Sequence, residues 1–225
     1  HIYQCMTMFF GMGPAPRCFT KLMKVPMAML RKLQIRTMIY IDDIIILAQQ
    51  ERDTLMARDT ILYILESLGL TVNYAKSILE PCKRLEYLGI QIDTQAMTLK
   101  LPERKVNQLR EICLKMIKNP QTTARKIAKT MGKLAASATA VSPTPLYLRN
   151  IQLQLKMALR NNPSYESKVT LNPQSKQELS WWIENLQTHN GKPMTLTPPE
   201  LIISSDASLE GWGASCKGEG AGGKF

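Results

Sequence analysis

The spacing of apolar residues switches between helical and strand periods along this chain. Pro14 and Pro16 can open a helix, and Phe19, Leu22, Met23, Val25 and Leu30 carry it to about Leu33, with Pro26 expected to kink or locally break it. The run Ile39-Tyr40-Ile41-Asp42-Asp43-Ile44-Ile45-Ile46-Leu47 is β-branched and aromatic on both flanks, which predicts a strand–turn–strand hairpin over about 35–48 with both aspartates at its tip. Leu55, Ile61, Leu62, Leu65 and Leu68 then recur at helical spacing, with Gly69 as the C-cap. Leu70-Thr71-Val72 reads as a short strand. A second hairpin is expected at 85–101, with Leu85, Tyr87, Leu88, Ile90 and Ile92 before its turn and Met97, Leu99 and Leu101 after it.

Helix, strand, strand, helix, strand over residues 14–72 becomes β-α-β-β-α-β, a split βαβ arrangement, once one strand is placed before it. That first strand would lie upstream of His1. From Pro102 the pattern is helical. One helix spans about 102–118 with Val106, Leu109, Ile112, Cys113 and Met116 on its apolar face. A second, capped by Thr122 or Thr123, carries Ile127, Met131, Leu134 and Ala135. A third is opened by Pro143 and Pro145 and extends to about Arg160. A fourth starts at Asn172-Pro173 and runs through Trp181, Trp182 and Leu186. Trp181 and Trp182 are read as packing this helix onto its neighbour rather than stacking on bases. A Pro-rich link, Pro193 to Pro199, leads to a new strand pattern at Leu201–Asp206, and the class is α+β.

Charge adds a partner to this picture. Residues 100–160 hold thirteen Lys/Arg against Glu103 and Glu111, so this stretch accounts for the whole net charge of +11, while the remaining residues carry sixteen of each sign. Concentrated positive charge points to a polyanion, nucleic acid before a membrane surface. Arg125, Lys129 and Lys133 fall at i, i+4 and i+8, flanked by Lys126, with no acidic residue at ion-pairing distance along that helix. The stripe therefore reads as a phosphate-backbone contact. Five cysteines, odd in number and widely spaced, argue against a disulfide framework, and His1 and His189 cannot form a histidine metal cluster. These features suit an intracellular setting, cytoplasm or nucleus, and no apolar stretch is long enough to span a bilayer. Both ends read as cuts, which predicts a fragment.

Asp42 and Asp43 are the candidate chemistry. Two carboxylates in an apolar run are costly unless they sit at a turn or hold a metal. Taken alone, the pair fits a polar hairpin turn and a magnesium site for phosphoryl transfer equally well. Neighbouring residues on a strand face opposite ways, so a two-metal centre needs a further carboxylate from another strand.

Tyr40-Ile41-Asp42-Asp43 resembles the YxDD box of reverse transcriptases, and three further segments agree in order. Phe10-Gly11-Met12-Gly13-Pro14-Ala15-Pro16-Arg17-Cys18-Phe19 is similar to the family's FGLxxAPxxF segment, although Phe9 stands where the family usually has proline. Gly69 to Ser77 resembles the following motif with its lysine, and Leu85-Glu86-Tyr87-Leu88-Gly89 resembles the primer-grip hairpin. Ser205-Asp206-Ala207-Ser208 with Gly211-Trp212-Gly213-Ala214 is similar to the opening strands of a retroelement ribonuclease H domain, in the order found in DIRS-like and gypsy-like retrotransposons.

The resemblance implies a partial right-hand polymerase palm at 1–100, a helical thumb at 101–165, a connection at 166–199 and the start of a ribonuclease H-like domain at 200–225. It implies two magnesium ions (manganese as the alternative), with Asp42 the principal and Asp43 the secondary ligand, and Asp206 the first ligand of the hydrolytic site. Lys76 would face the leaving pyrophosphate. Tyr40, Phe10 and Gly11 would lie by the incoming nucleotide or primer end, and Tyr87, Leu88 and Gly89 would hold the primer. Arg125, Lys126, Lys129 and Lys133 would track the duplex. The implied partners are an RNA or DNA template with its primer, dNTPs and the rest of a polyprotein, and no membrane. A different class of reading is a non-catalytic nucleic-acid-binding remnant of a decayed retroelement.

Overall fold

The computed structural model describes residues 8–9, 11–195 and 198–224. The chain divides into two units, His1–Leu88 and Gly89–Phe225, both of mixed α and β structure.

The first unit is built on helix α1 (Ala15–Lys32), the antiparallel strands β1 (Arg36–Tyr40) and β2 (Asp43–Leu47), helix α2 (Glu51–Ser67) and strand β3 (Arg84–Tyr87). Its core joins Met23, Met27 and Leu30 of α1 to Ile61, Ile64 and Leu65 of α2, with Ile39, Ile44 and Ile46 of the hairpin packed against them. Pro26 does not break α1. The helix is continuous, and Pro26 lies buried in line with Met23, Met27 and Leu30. The buried face is thus one step round from the sequence expectation, and Leu22 and Val25 are exposed. Both helices end in Schellman turns. Gly69 supplies the left-handed residue after α2, its N–H donating to Glu66 O and that of Leu70 to Leu65 O. Gln34, at φ 60°, does the same after α1, with Ile35 closing onto the core.

Two expectations fail in this unit. Leu70-Thr71-Val72 is not a strand. Leu70 and Val72 still pack on the core, but the segment joins no ladder, and strand identity requires a hydrogen-bonding neighbour. The strand expected through Leu85–Ile92 is broken at Leu88 and Gly89, both left-handed at φ 51° and 74°. Two successive positive φ values are the backbone of a type I′ turn, which glycine makes readily and leucine does not.

In the second unit β4 (Ile90–Asp93) pairs with β5 (Thr98–Lys100), followed by α3 (Glu103–Lys118), β6 (Gln121–Thr123), α4 (Ala124–Ala136), α5 (Arg149–Asn161), β7 (Lys168–Thr170) and α6 (Pro173–Asn185). The residues Val106, Leu109, Cys113 and Met116 of α3 are buried as the periodicity predicts, against Ile127 and Leu134 of α4, Ile151 and Leu155 of α5, and Leu179 and Trp182 of α6. Pro143 and Pro145 do not open α5; they shape a short 3-10 turn at Thr144–Tyr147, and α5 begins only at Arg149. Its first turn has no cap of its own. Glu178 of α6 supplies one, accepting from Asn150 N–H at 2.8 Å, Ile151 N–H at 3.0 Å and the Asn150 amide at 2.9 Å. Trp182 is fully buried, its Nε1–H on Tyr147 O at 2.9 Å, and Trp181 stacks on Tyr147 at 3.8 Å, so both tryptophans pack the helix in place.

Part of the expected link is a strand: β8 (Lys192–Pro193) pairs with β5. Before it, the Asn190 side chain accepts from Leu101 N–H at 2.7 Å and donates to Leu101 O at 3.0 Å, replacing a backbone partner. The strands β9 (Ser204–Ala207), β10 (Gly211–Cys216) and β11 (Glu219–Lys224) form an antiparallel meander with β10 in the centre. No helix among the described residues is long and apolar enough to cross a membrane.

Candidate polymerase site on the aspartate hairpin

The register of the β1–β2 hairpin decides what its tip presents. Arg36 pairs with Leu47 and Tyr40 with Asp43, leaving Ile41 and Asp42 as a two-residue turn. Cross-strand partners share a face, and residues alternate between faces. Ile39, Ile44 and Ile46 face the helical core, so Tyr40 and Asp43 lie together on the opposite face, which is covered further along at Ile45 but exposed at the tip. Tyr40 is 57% exposed, and Asp42 and Asp43 are exposed beside it.

The turn forces Ile41 to φ 55°, a left-handed conformation that a β-branched residue adopts at a cost of roughly 1–3 kcal/mol. Pattern reading gives no sign of this, because a β-branched residue in an apolar run reads as strand. A second support comes from β3. The Tyr87 hydroxyl donates to Asp43 O at 3.2 Å, and burial, with a smaller contribution from the Asp43 charge, pushes the Tyr87 hydroxyl above its ordinary pKa. Tyr40, Asp42, Asp43 and Tyr87 are therefore gathered around one tip.

Other candidates fall elsewhere. Gly11 is left-handed at φ 94° in the turn before α1, and no atom lies within 4 Å of where its Cβ would be. Phe10 lies outside the described residues. Lys76 is exposed in the turn after α2, its N–H on Asn73 O at 3.1 Å, while the Tyr74 hydroxyl donates to Glu66 and ties that turn to the helix. Leu88 and Gly89 form the turn after β3. Asp206 is exposed on β9, opposite Gly213 of β10.

On α4, Ala124, Ile127, Thr130 and Leu134 are buried, and Arg125, Lys126, Lys129 and Lys133 are exposed. Thr123, not Thr122, is the cap, accepting from Lys126 N–H. The premise that this stripe has no acidic partner fails for one member: Arg125 Nε lies 2.5 Å from Glu166 Oε1, with its guanidinium 5.7 Å from the Tyr165 ring. Glu166 is 41 residues away in sequence, beyond the reach of helical spacing.

Two adjacent exposed carboxylates on a rigid hairpin suit magnesium, which takes one or two carboxylates, keeps several waters and binds substrate phosphates. Among the described residues no group of three or more His, Cys, Asp and Glu side chains comes together. Asp42 and Asp43 are the residues that would hold such an ion at the hairpin.

Residues 1–92 match the family model described as reverse transcriptase (RNA-dependent DNA polymerase). None of the curated proteins matches this chain in sequence. Among solved structures, the foamy viral protease-reverse transcriptase in complex with an RNA/DNA hybrid is similar at a TM-score of 0.62 and 16% identity, over 97% of this chain and 28% of that one. The foamy viral protease-reverse transcriptase in complex with dsDNA is similar at a TM-score of 0.62 and 16% identity, over 97% of this chain and 43% of that one. The chain spans less than half the length of these structures, and at this identity the likeness establishes a common fold. The segment that carries the aspartate hairpin, residues 1–92, is thus similar to the reverse transcriptase family and makes up under half of this chain.

Proposed function

We propose that this chain is the part of an RNA-directed DNA polymerase that presents the YxDD carboxylates, acting within a longer polypeptide on a primed RNA or DNA template with dNTPs. The observation that carries the reading is the hairpin tip: Asp42 in the turn, Asp43 and Tyr40 side by side and exposed, and Tyr87 fastened to the Asp43 backbone.

On this reading Asp42 and Asp43 hold magnesium, which when bound lowers the charge cost of joining a primer 3′-hydroxyl to a nucleotide α-phosphate. The chain's own residues do the positioning. The ladder and the Tyr87 bond fix the carboxylates, and the flat, exposed Tyr40 ring offers a surface for the primer end or incoming nucleotide. Lys76 would supply a positive charge, or a proton, to the departing pyrophosphate. A further carboxylate would come from the rest of the polymerase. Residues 101–165 act as thumb, 166–199 as connection, and β9–β11 as the first strands of a ribonuclease H-like domain with Asp206 as a ligand. Lys126, Lys129 and Lys133 would contact duplex phosphates.

The test is Asp42→Asn in the complete polymerase. Primer extension should fall by on the order of 100-fold or more, with primer–template binding retained. Unchanged extension would remove Asp42 from the chemistry. A complete polymerase with Asp42 intact that binds duplex yet never extends a primer would favour the non-catalytic remnant.

A further inference from the structure

The α4 face carries an internal competitor for phosphate. The β6–β7 ladder lays the segment before β7 across the start of α4, where Ala124 N–H donates to Ser167 O at 3.0 Å and Arg125 N–H to Tyr165 O at 2.8 Å. With Lys126 N–H on the Thr123 hydroxyl, the first amides of α4 are occupied, so a phosphate meets side chains there and not the helix end. Glu166 sits between the two anchored residues and holds Arg125 Nε at 2.5 Å. Lys126, Lys129 and Lys133 form no ion pair among the described residues, and Lys168, opposite Thr123 in the ladder, adds a cation at the same end.

We propose that Glu166 sequesters Arg125, so that the phosphate-binding face of α4 consists of its lysines and ends at the Arg125–Glu166 pair. This rests on the reading of that face as a duplex contact. An exposed Arg–Glu pair is weak in energy terms, and geometry is what excludes the competitor. The backbone on either side of Glu166 is bonded to the helix, so the carboxylate stays beside the guanidinium. A phosphate reaching Arg125 would lie against that second negative charge. Glu166 thereby limits how many phosphates one thumb engages and where its footprint begins.

Each phosphate contact contributes about 0.9 to the slope of log K against log salt, or about a 3.5-fold loss of affinity for a fourfold rise in salt. The experiment titrates this chain with a short DNA duplex between about 50 and 200 mM salt, using its tryptophan emission, to which buried Trp182 contributes, to verify folding. Lys129→Gln and Lys133→Gln should each flatten the slope by about 0.9, Arg125→Gln should leave it unchanged, and Glu166→Gln should steepen it by about 0.9 as Arg125 is released. The proposal is overturned if Arg125→Gln flattens the slope as much as the lysine variants, or if Glu166→Gln changes nothing while they do. If neither lysine variant moves the slope, the face is not a duplex contact, and the proposal falls with that reading.

Discussion

Replacing Glu178 by alanine should be among the most damaging single changes in the second unit. Glu178 is 5% exposed and its carboxylate accepts three hydrogen bonds, two of them from the second and third backbone N–H groups of α5. The α5 N-cap position is Leu148, which has no side-chain acceptor, so nothing local replaces the cap. A hydrogen bond to a charged acceptor is worth about 1.5–3 kcal/mol net, and a buried donor left unpaired costs about 1–3 kcal/mol. The Asn150 amide is half-buried and can turn to water, so the main loss is two backbone donors. Glu178→Ala should therefore cost on the order of 3–5 kcal/mol, a large part of a typical domain stability of about 5–15 kcal/mol. Glu178→Gln keeps one acceptor oxygen and should cost about 1–3 kcal/mol. Urea unfolding followed by tryptophan emission in a Trp212→Phe background, which leaves Trp181 and Trp182 of α6 as the reporters, reads this. With a slope near 2 kcal/mol/M, a 4 kcal/mol loss lowers the midpoint by about 2 M. Glu184→Ala, at an exposed position of the same helix, should stay within about 0.5 kcal/mol of the parent. A Glu178→Ala midpoint indistinguishable from that of Glu184→Ala would refute the capping argument.

Two further outcomes can be measured. Tyr87→Phe removes only the hydroxyl that holds Asp43 O and should destabilise the first unit by about 0.5 kcal/mol, seen as faster amide exchange in β2 and β3. Because the folded Tyr87 pKa is raised above the unfolded value, its contribution is full below about pH 10 and fades as pH rises through the raised value. Tyrosinate absorbance of the parent minus that of Tyr87→Phe should show this late step, and a difference titrating at or below pH 10 would contradict it. Burial pushes the Cys113 thiol up to about 12, so iodoacetamide at mildly alkaline pH should label exposed Cys18 and Cys82 quickly. Cys113 should react only as fast as the helical core opens. Prompt labelling of Cys113 in the folded protein would show that this core is looser than its packing.

What could be read from sequence was whatever is encoded locally. The aspartate hairpin follows from two β-branched runs around a polar pair. The buried face of α3 follows from its period, and the start of α6 from Asn172 and Pro173. Features set by distant partners could not be read this way. The strands β6 and β7 are three residues each and exist only because they find each other. The Arg125–Glu166 pair follows from that ladder, so the stripe looked uniform when one of its charges was already taken. Leu70-Thr71-Val72 has the composition of a strand without a neighbour, which composition cannot reveal. At the candidate site, the YxDD pair was plain, but its support was not: neither the left-handed Ile41 nor the reach of the Tyr87 hydroxyl to Asp43 O leaves a mark in residue spacing.

The Asn190 bonds to Leu101 have a consequence for how the chain is made. Donor and acceptor are 89 residues apart in sequence, and a ribosome adding about 5–20 residues per second takes roughly 4–18 s to cover that distance. During this interval α3, α4 and α5 can emerge and begin to pack, the face of α3 that meets α6 stays uncovered until α6 follows, and the backbone of Leu101 waits longer still. Closure of the helical part of the second unit therefore comes late, completed when one asparagine side chain arrives, and only β8 to β11 are made after it. Nascent chains stalled before residue 190 should be open to protease at the start of α3, and chains stalled far enough beyond it for Asn190 to clear the exit tunnel should be protected there.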